Sequence, residues 1–402
     1  MKNIRYWALA AVASAFLAAC GGNDDAPGSG SPSGAPTTKG SFTAVVSFGD
    51  SLSDLGAYTP ATSATGNGAP PYVGGKFTTN TTDLATGRNT ATVWVENVAT
   101  SLAVIITPAE VGFAGQSVAC PAAANPALAN TCTGYGQGGS RVTNPIGIGN
   151  DGEGGAALTV PMKTQIANHL ARFGSFKDSD LIIVFGGNND VFIQFGAFVA
   201  AATQIQTDAA TGKITADQAK NLLLDAQLAA QAELKKAALE LTGYVRNEIL
   251  AKGGKYVAVY NLPDSSLTPF GGTLPDSLKP VLSGLADIFN LWLRDGLTGQ
   301  PVQLVDANTI FKEVYANPAK YGIVNNTVPA CDAEKIAAIT GGAVTDGSSL
   351  FCNGTPGVPF NGLRTGADVN TWQFADGVHP TVGGHKLISD SALAALKSFG
   401  WI

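Results

Sequence analysis

Leu181-Ile182-Ile183-Val184-Phe185-Gly186-Gly187-Asn188-Asn189-Asp190 is the stretch from which the fold can be read. Five consecutive apolar residues mark a strand covered on both faces, since a strand with one wet face alternates apolar with polar. The polar turn after it would lie at the carboxyl edge of a parallel sheet; on its own, Asn-Asp after a strand is ordinary turn chemistry. Ala44-Val45-Val46 upstream, and Tyr256 to Tyr260 and Val302-Gln303-Leu304-Val305 downstream, read the same way. Helical patterns separate these runs. Thr215-Ala216-Asp217-Gln218 is a capping box opening a long helix through about Ala251. Leu234, Ala238, Leu241, Val245 and Ile249 share one face of it, and Gly253-Gly254 ends it. A second helix crosses Ser277 to Leu297. Strands alternating with helices predict an α/β fold around a parallel sheet with right-handed crossovers. No internal repeat or second domain is visible.

Phe48-Gly49-Asp50-Ser51-Leu52-Ser53-Asp54 leaves the first strand. A Ser entering a helix at that edge lies where open α/β sheets bind ligands, with helix N–H groups aimed at any oxyanion. Ser51 is therefore a candidate nucleophile; the alternative is a plain N-cap. Three His residues are present. His169 lies in a helix-like run and reads as structural, and His385 reads as a surface or packing residue of the terminal helix. His379, in Asp376-Gly377-Val378-His379-Pro380-Thr381, differs from both. Gly377 before it and Pro380 after it put Asp376 and His379 on a turn ahead of a helix from Thr381 to Phe399. A turn lets the carboxylate fold back on the imidazole and orient it, as the third member of a triad does.

These two blocks, together with Gly134-Tyr135-Gly136-Gln137-Gly138-Gly139-Ser140-Arg141-Val142 and Gly187-Asn188-Asn189-Asp190, resemble in order and content the four blocks of the GDSL esterases of the SGNH hydrolase family. Gly87-Arg88, followed by Trp94, resembles a further segment of that family, although Trp94 itself reads as core. The resemblance implies a three-layer sandwich, a central mainly parallel sheet between helices with long loop insertions. It also implies a serine ester hydrolase with Ser51 as nucleophile, His379 as general base and Asp376 orienting it. The oxyanion hole would be formed by the Ser51 and Gly139 N–H groups and the Asn189 amide, with Asn188 at the variable position. Gly138 is the alternative backbone donor, because Gly134 and Gly136 stand where the family has Asn and Ala. Neither cofactor nor metal is expected. Lipid or simple acyl esters are the expected substrates. Glycerophospholipid acyl transfer or phospholipase A action is the alternative, and carbohydrate deacetylation or non-catalytic binding stand behind it. Some family members carry a C-terminal β-barrel; none is expected after Ile402.

The 402 residues are 45% apolar and only 13% charged, with 49 Gly and a net charge of −6, which suits a loop-rich exported protein and argues against a nucleic-acid partner. Residues 1–19 read as a signal peptide: Lys2 and Arg5, then an apolar stretch from Tyr6 to Leu17, then Leu17-Ala18-Ala19-Cys20. The run resembles a lipobox, which would lipidate Cys20 and anchor the protein to a membrane; the expected location is the outer membrane or the medium. Residues 20–40 read as a flexible tether and 41–402 as a single hydrolase domain, expected to be monomeric. Without Cys20, four Cys remain, Cys120, Cys132, Cys331 and Cys352. No Cys-x-x-Cys or nearby His suggests metal, and pairing each with its sequence neighbour is the disulfide hypothesis. The Thr-, Gly- and Asn-rich stretch from Tyr58 to Asn89 reads as a binding loop beside Ser51.

Overall fold

The computed structural model describes residues 28–150, 152 and 157–402, so the leader, Cys20 and the first part of the expected tether lie outside the described residues. Four parallel strands form the sheet, in the order β1 (Ala44–Gly49), β4 (Asp180–Phe185), β5 (Tyr256–Tyr260) and β6 (Gln303–Val305). Their register pairs Phe48 with Val184, and Val184 with Val259. β2 (Glu110–Phe113) and β3 (Gln116–Ala119) make a separate antiparallel hairpin that the sequence reading missed. On the outer side of β1 the start of the glycine-rich block continues the sheet: Tyr135 N–H donates to Ser47 O at 2.8 Å, and Ser47 N–H to Thr133 O at 2.9 Å.

The helices are α1 (Trp94–Ser101), α2 (Met162–Phe173), α3 (Asn188–Ala210), α4 (Ala216–Tyr244), α5 (Pro269–Thr273), α6 (Lys279–Gly296), α7 (Ala307–Ala316), α8 (Ala333–Ile339) and α9 (Val382–Ser398). They cover both faces of the sheet. Phe48 and Phe185 occupy adjacent register positions and so point to opposite faces. Phe48 packs on His169 of α2, whereas Phe185 and Tyr260 pack on Trp94 of α1. This is the expected α/β sandwich. Every β4 residue is buried, as its unbroken apolar run requires.

α4 begins on the Thr215 capping box, with Gln218 Oε1 accepting from Thr215 N–H at 2.8 Å. The α-helix ends sooner than expected. One π turn, Val245–Ile249, and one 3₁₀ turn, Leu250–Lys252, complete the rod before Gly253 stops it at φ 96°. The five residues assigned to its inner face are all fully buried.

The tether expectation needs correction from Gly28 to Gly40. This segment lies against the body through its backbone, which composition does not encode. Trp401 Nε1 donates to Pro36 O at 2.7 Å, Gly40 N–H to Trp401 O at 2.8 Å and Tyr256 Oη to Lys39 O at 3.1 Å. Cys120 is bonded to Cys132 and Cys331 to Cys352. The second bridge borders the turn that carries Asp376 and His379, because Cys331 N–H donates to Ala375 O at 2.8 Å.

Candidate active site

The three side chains singled out as a triad come together from positions 51, 376 and 379. Ser51 opens a 3₁₀ turn, Ser51–Ser53, directly after β1. The capping role belongs to its neighbour, since Asp50 Oδ1 accepts from Leu52 N–H at 3.1 Å, and Ser51 Oγ is left to face His379. Ser51 Oγ stands 2.8 Å from His379 Nε2, and His379 Nδ1 stands 2.8 Å from Asp376 Oδ2 and 2.9 Å from Oδ1. Asp376 is built into its turn, accepting from Val378 N–H at 3.0 Å, His379 N–H at 2.8 Å and Ser349 N–H at 2.8 Å. An acceptor-only carboxylate on Nδ1 fixes the proton there and turns a lone pair on Nε2 toward the serine hydroxyl.

The electrostatics agree with that geometry. Burial alone would push Asp376 up, but the His379 imidazole and the Ser349 and Val378 N–H groups hold it well below the usual carboxylate range. Burial likewise lowers His379, yet Asp376, with Asp50 and Asp54 behind it, outweighs that and sets its pKa above the ordinary 6.5. Asp50 and Asp54 are each pushed up to about 6 by burial, against the hydrogen bonds they accept.

The glycine-rich block is held beside Ser51 by three separate contacts. Asp54 Oδ2 accepts from Gly138 N–H at 2.8 Å, while Oδ1 takes the Gly56 and Ala57 N–H groups. Asn189 Nδ2 donates to Ser140 O at 2.8 Å. Asp190 accepts from Val142 N–H at 2.9 Å and from Arg141 Nε at 2.8 Å. With the Gly138 N–H engaged by Asp54, Gly139 is the residue of the pair whose N–H has no partner among the described residues. Gly139 has φ 78°, and a Cβ there would stand 2.0 Å from Ile148 O, so no other residue fits without moving the loop.

Asn189, expected as the side-chain donor of the oxyanion hole, stands next to Asn188 at the start of α3. Its amide is directed at the Ser140 carbonyl, whereas the amide of Asn188 donates to Asp50 Oδ2 at 3.1 Å, beside the nucleophile. Both residues line the cavity at Ser51. α3 starts at Asn188, and each amide keeps a second N–H beyond the bond it makes here.

Two further residues were not foreseen in these roles. Phe77, from the irregular segment after Ser51, packs on His379 with ring centroids 4.8 Å apart. His385 is fully buried, so of its two expected settings, surface or packing, it takes the second. Its Nδ1 accepts from Trp94 N–H at 3.3 Å and its Nε2 faces Phe77 O at 3.2 Å. Burial lowers its pKa to about 3, so the neutral ring joins α1, Phe77 and α9. His169 also stays neutral, its pKa lowered to about 4 by burial with Arg172 and Lys177 nearby; it stacks on Phe176 and is structural.

The chain matches the family model described as GDSL-like lipase/acylhydrolase over residues 45–392. It is 33% identical over 148 residues to Esterase EstA of Pseudomonas aeruginosa, a stretch covering 36% of this chain and 20% of that protein. The same figures hold for Esterase EstA of Pseudomonas putida. The match thus spans about a fifth of the length of these curated relatives.

Proposed function

The chain belongs to the GDSL-like lipase/acylhydrolase family, and on that premise we propose that it is a carboxylic ester hydrolase using Ser51, His379 and Asp376. The observation that carries the reading is the unbroken line from Ser51 Oγ through His379 to Asp376, each step 2.8 Å. Ser51 Oγ attacks the ester carbonyl and passes its proton to His379 Nε2. The imidazolium, stabilised by Asp376, returns that proton to the leaving alcohol. Water then repeats the sequence on the acyl-enzyme and releases the acid. Labelling by a fluorophosphonate that Ser51→Ala abolishes, together with Ser51-dependent hydrolysis of p-nitrophenyl acetate, is the test. Hydrolysis that persists in the variant would overturn the reading.

The oxyanion is received by the Ser51 and Gly139 N–H groups and the Asn188 amide. Asp54, Asn189 and Asp190 keep the Gly138–Val142 loop in place, so the donors need little reorganisation when charge develops. Asn188→Ala is expected to lower kcat about 10²- to 10³-fold, the usual cost of one oxyanion donor, with KM little changed. Asn189→Ala acts through the loop and should cost less. Steady-state kinetics on the two variants decide the matter, and a larger loss in Asn189→Ala would return the role to that residue.

The general base must be neutral to accept a proton. Since His379 sits above 6.5, kcat/KM should fall as pH drops through a midpoint higher than that of a free imidazole. Asp376→Asn removes the adjacent negative charge and should move this midpoint down. A pH profile with its acid limb below 6 in the wild type would contradict the assignment of the base.

The two disulfides fit folding in an oxidising compartment outside the cytoplasm. Cleavage of residues 1–19 and lipidation of Cys20 are part of the same proposal.

A further inference from the structure

The cavity at Ser51 is deeper than a small acyl group requires. It encloses about 460 Å³ and continues from the nucleophile across the carboxyl ends of β4, β5 and β6, where Phe185, Tyr260 and Val305 line it. From there it enters the space between α7 and α9. Each of these helices turns one apolar stripe into it: Ile310, Phe311 and Val314 on α7, and Leu387, Ile388 and Ala392 on α9. The four-residue steps from Ile310 to Val314 and from Ile388 to Ala392 hold one helix face each, flanked by Phe311 and Leu387. Such stripes ordinarily close on a partner, and apolar space left empty destabilises a fold in proportion to its volume. The inner wall is well buried, with Val314 5% exposed, Phe374 2% and Ala392 1%. Among the described residues the carboxyl group and the imidazole lining the cavity, those of Asp50 and His379, stand at the Ser51 end.

The geometry points to an acyl channel: the site takes esters of medium- and long-chain fatty acids, and the hydrocarbon tail runs from Ser51 between α7 and α9 toward Ala392 and Val314. This rests on the hydrolase reading above and adds the substrate class to it. The order of bond changes selects the acyl group over the alcohol. When the Ser51 Oγ–acyl bond forms and the ester C–O bond breaks, the alcohol leaves with the proton from His379. Water must then reach the same carbon, give its proton to His379 and break the Ser51 ester. An alcohol tail in the buried limb would have the acyl-enzyme between itself and solvent, whereas an acyl tail there stays while both exchanges occur at the mouth. Among the described residues no charged side chain lines the inner limb, which matches a hydrocarbon chain and gives a phosphate no partner there.

The test holds the leaving group constant and varies the acid, with p-nitrophenyl esters from acetate through octanoate to palmitate. kcat/KM should rise about tenfold or more from acetate to octanoate, because each methylene moves from water into the channel. Ala392→Phe fills the inner end and should lower the palmitate-to-butyrate ratio of kcat/KM about tenfold. Because that variant can fail to fold, binding is measured separately: laurate should raise the melting temperature of the folded Ser51→Ala protein and acetate should not. A flat chain-length profile with Ser51-dependent acetate hydrolysis overturns the channel and leaves the hydrolase reading intact. A preference for long-chain alkyl acetates over octanoates overturns it by placing the alcohol in the limb. Hydrolysis that survives Ser51→Ala overturns the hydrolase reading, and the laurate melting shift then judges the channel alone.

Discussion

Ser51→Ala is expected to reduce kcat for ester hydrolysis by about 10⁶-fold while leaving the fold intact, a loss of the size seen when a triad nucleophile is removed. The loss is this large because three side chains act as one unit. Without Oγ there is no acyl-enzyme, and His379 has no hydroxyl within 2.8 Å to activate. His379→Ala should cost nearly as much, and the double variant scarcely more, since each single change already disables the line. Stability should hardly move: the Oγ hydrogen bond is to His379 alone, and Ser51 lies near the cavity surface, 9% exposed. Stopped assays at high enzyme concentration, with circular dichroism on the same samples, measure both quantities. Activity in the variant within about a hundredfold of wild type would exclude Ser51 as nucleophile.

The largest effect on stability is expected at Lys76. Its ammonium is 2.7 Å from Glu96 Oε1, 2.9 Å from Oε2 and 2.7 Å from the Ala91 carbonyl, with the Lys side chain 10% exposed and the Glu side chain 20%. Glu96 Oε2 also accepts from Val93 N–H at 2.8 Å, which closes the first turn of α1. Lys76→Met leaves a carboxylate and a carbonyl in a poorly hydrated place and should destabilise the protein by about 3 kcal/mol, whereas Lys76→Met/Glu96→Gln should recover a good part of that. Urea unfolding with an unchanged m value reports the difference. A loss under about 0.5 kcal/mol, the size of an exposed pair, would mean that water reaches the two charges. Activity should fall too, because the next residue, Phe77, supports one face of His379.

Much of the scaffold was legible because its signals are local. A short apolar run such as Leu181 to Phe185, closed by Gly186-Gly187, reads as a strand buried on both sides, and the capping box at Thr215 and the glycines after Lys252 bound their helix from within the chain. The grouping of Ser51, Asp376 and His379 was legible for a related reason: Asp376 and His379 are three residues apart on a turn, and Ser51 directly follows a strand. The rest depended on contacts that no short stretch contains. Asn188 and Asn189 are the same residue type side by side, and their different partners, Asp50 and Ser140, lie far away in the sequence. His385 takes its role from Trp94 and Phe77, each about three hundred positions away. The hairpin of β2 and β3 leaves Phe113 and Val118 exposed and so lacks the apolar face that announces a strand.

The segment from Gly28 to Gly40 orients the molecule. It runs along the edge where strands begin, touching the first residues of β5 and β6 through the Tyr256 hydroxyl and the Gln303 amide. Ser51, Phe185, Tyr260 and Val305 lie at the other edge, about 20 Å away along the six residues of β1 and about 10 Å along the three of β6, at 3.3 Å each. Gly28, the first described residue, lies against Asp295, on the side of the sheet away from Ser51. The described chain thus enters at one edge of the sheet and presents the cavity beside Ser51 at the other.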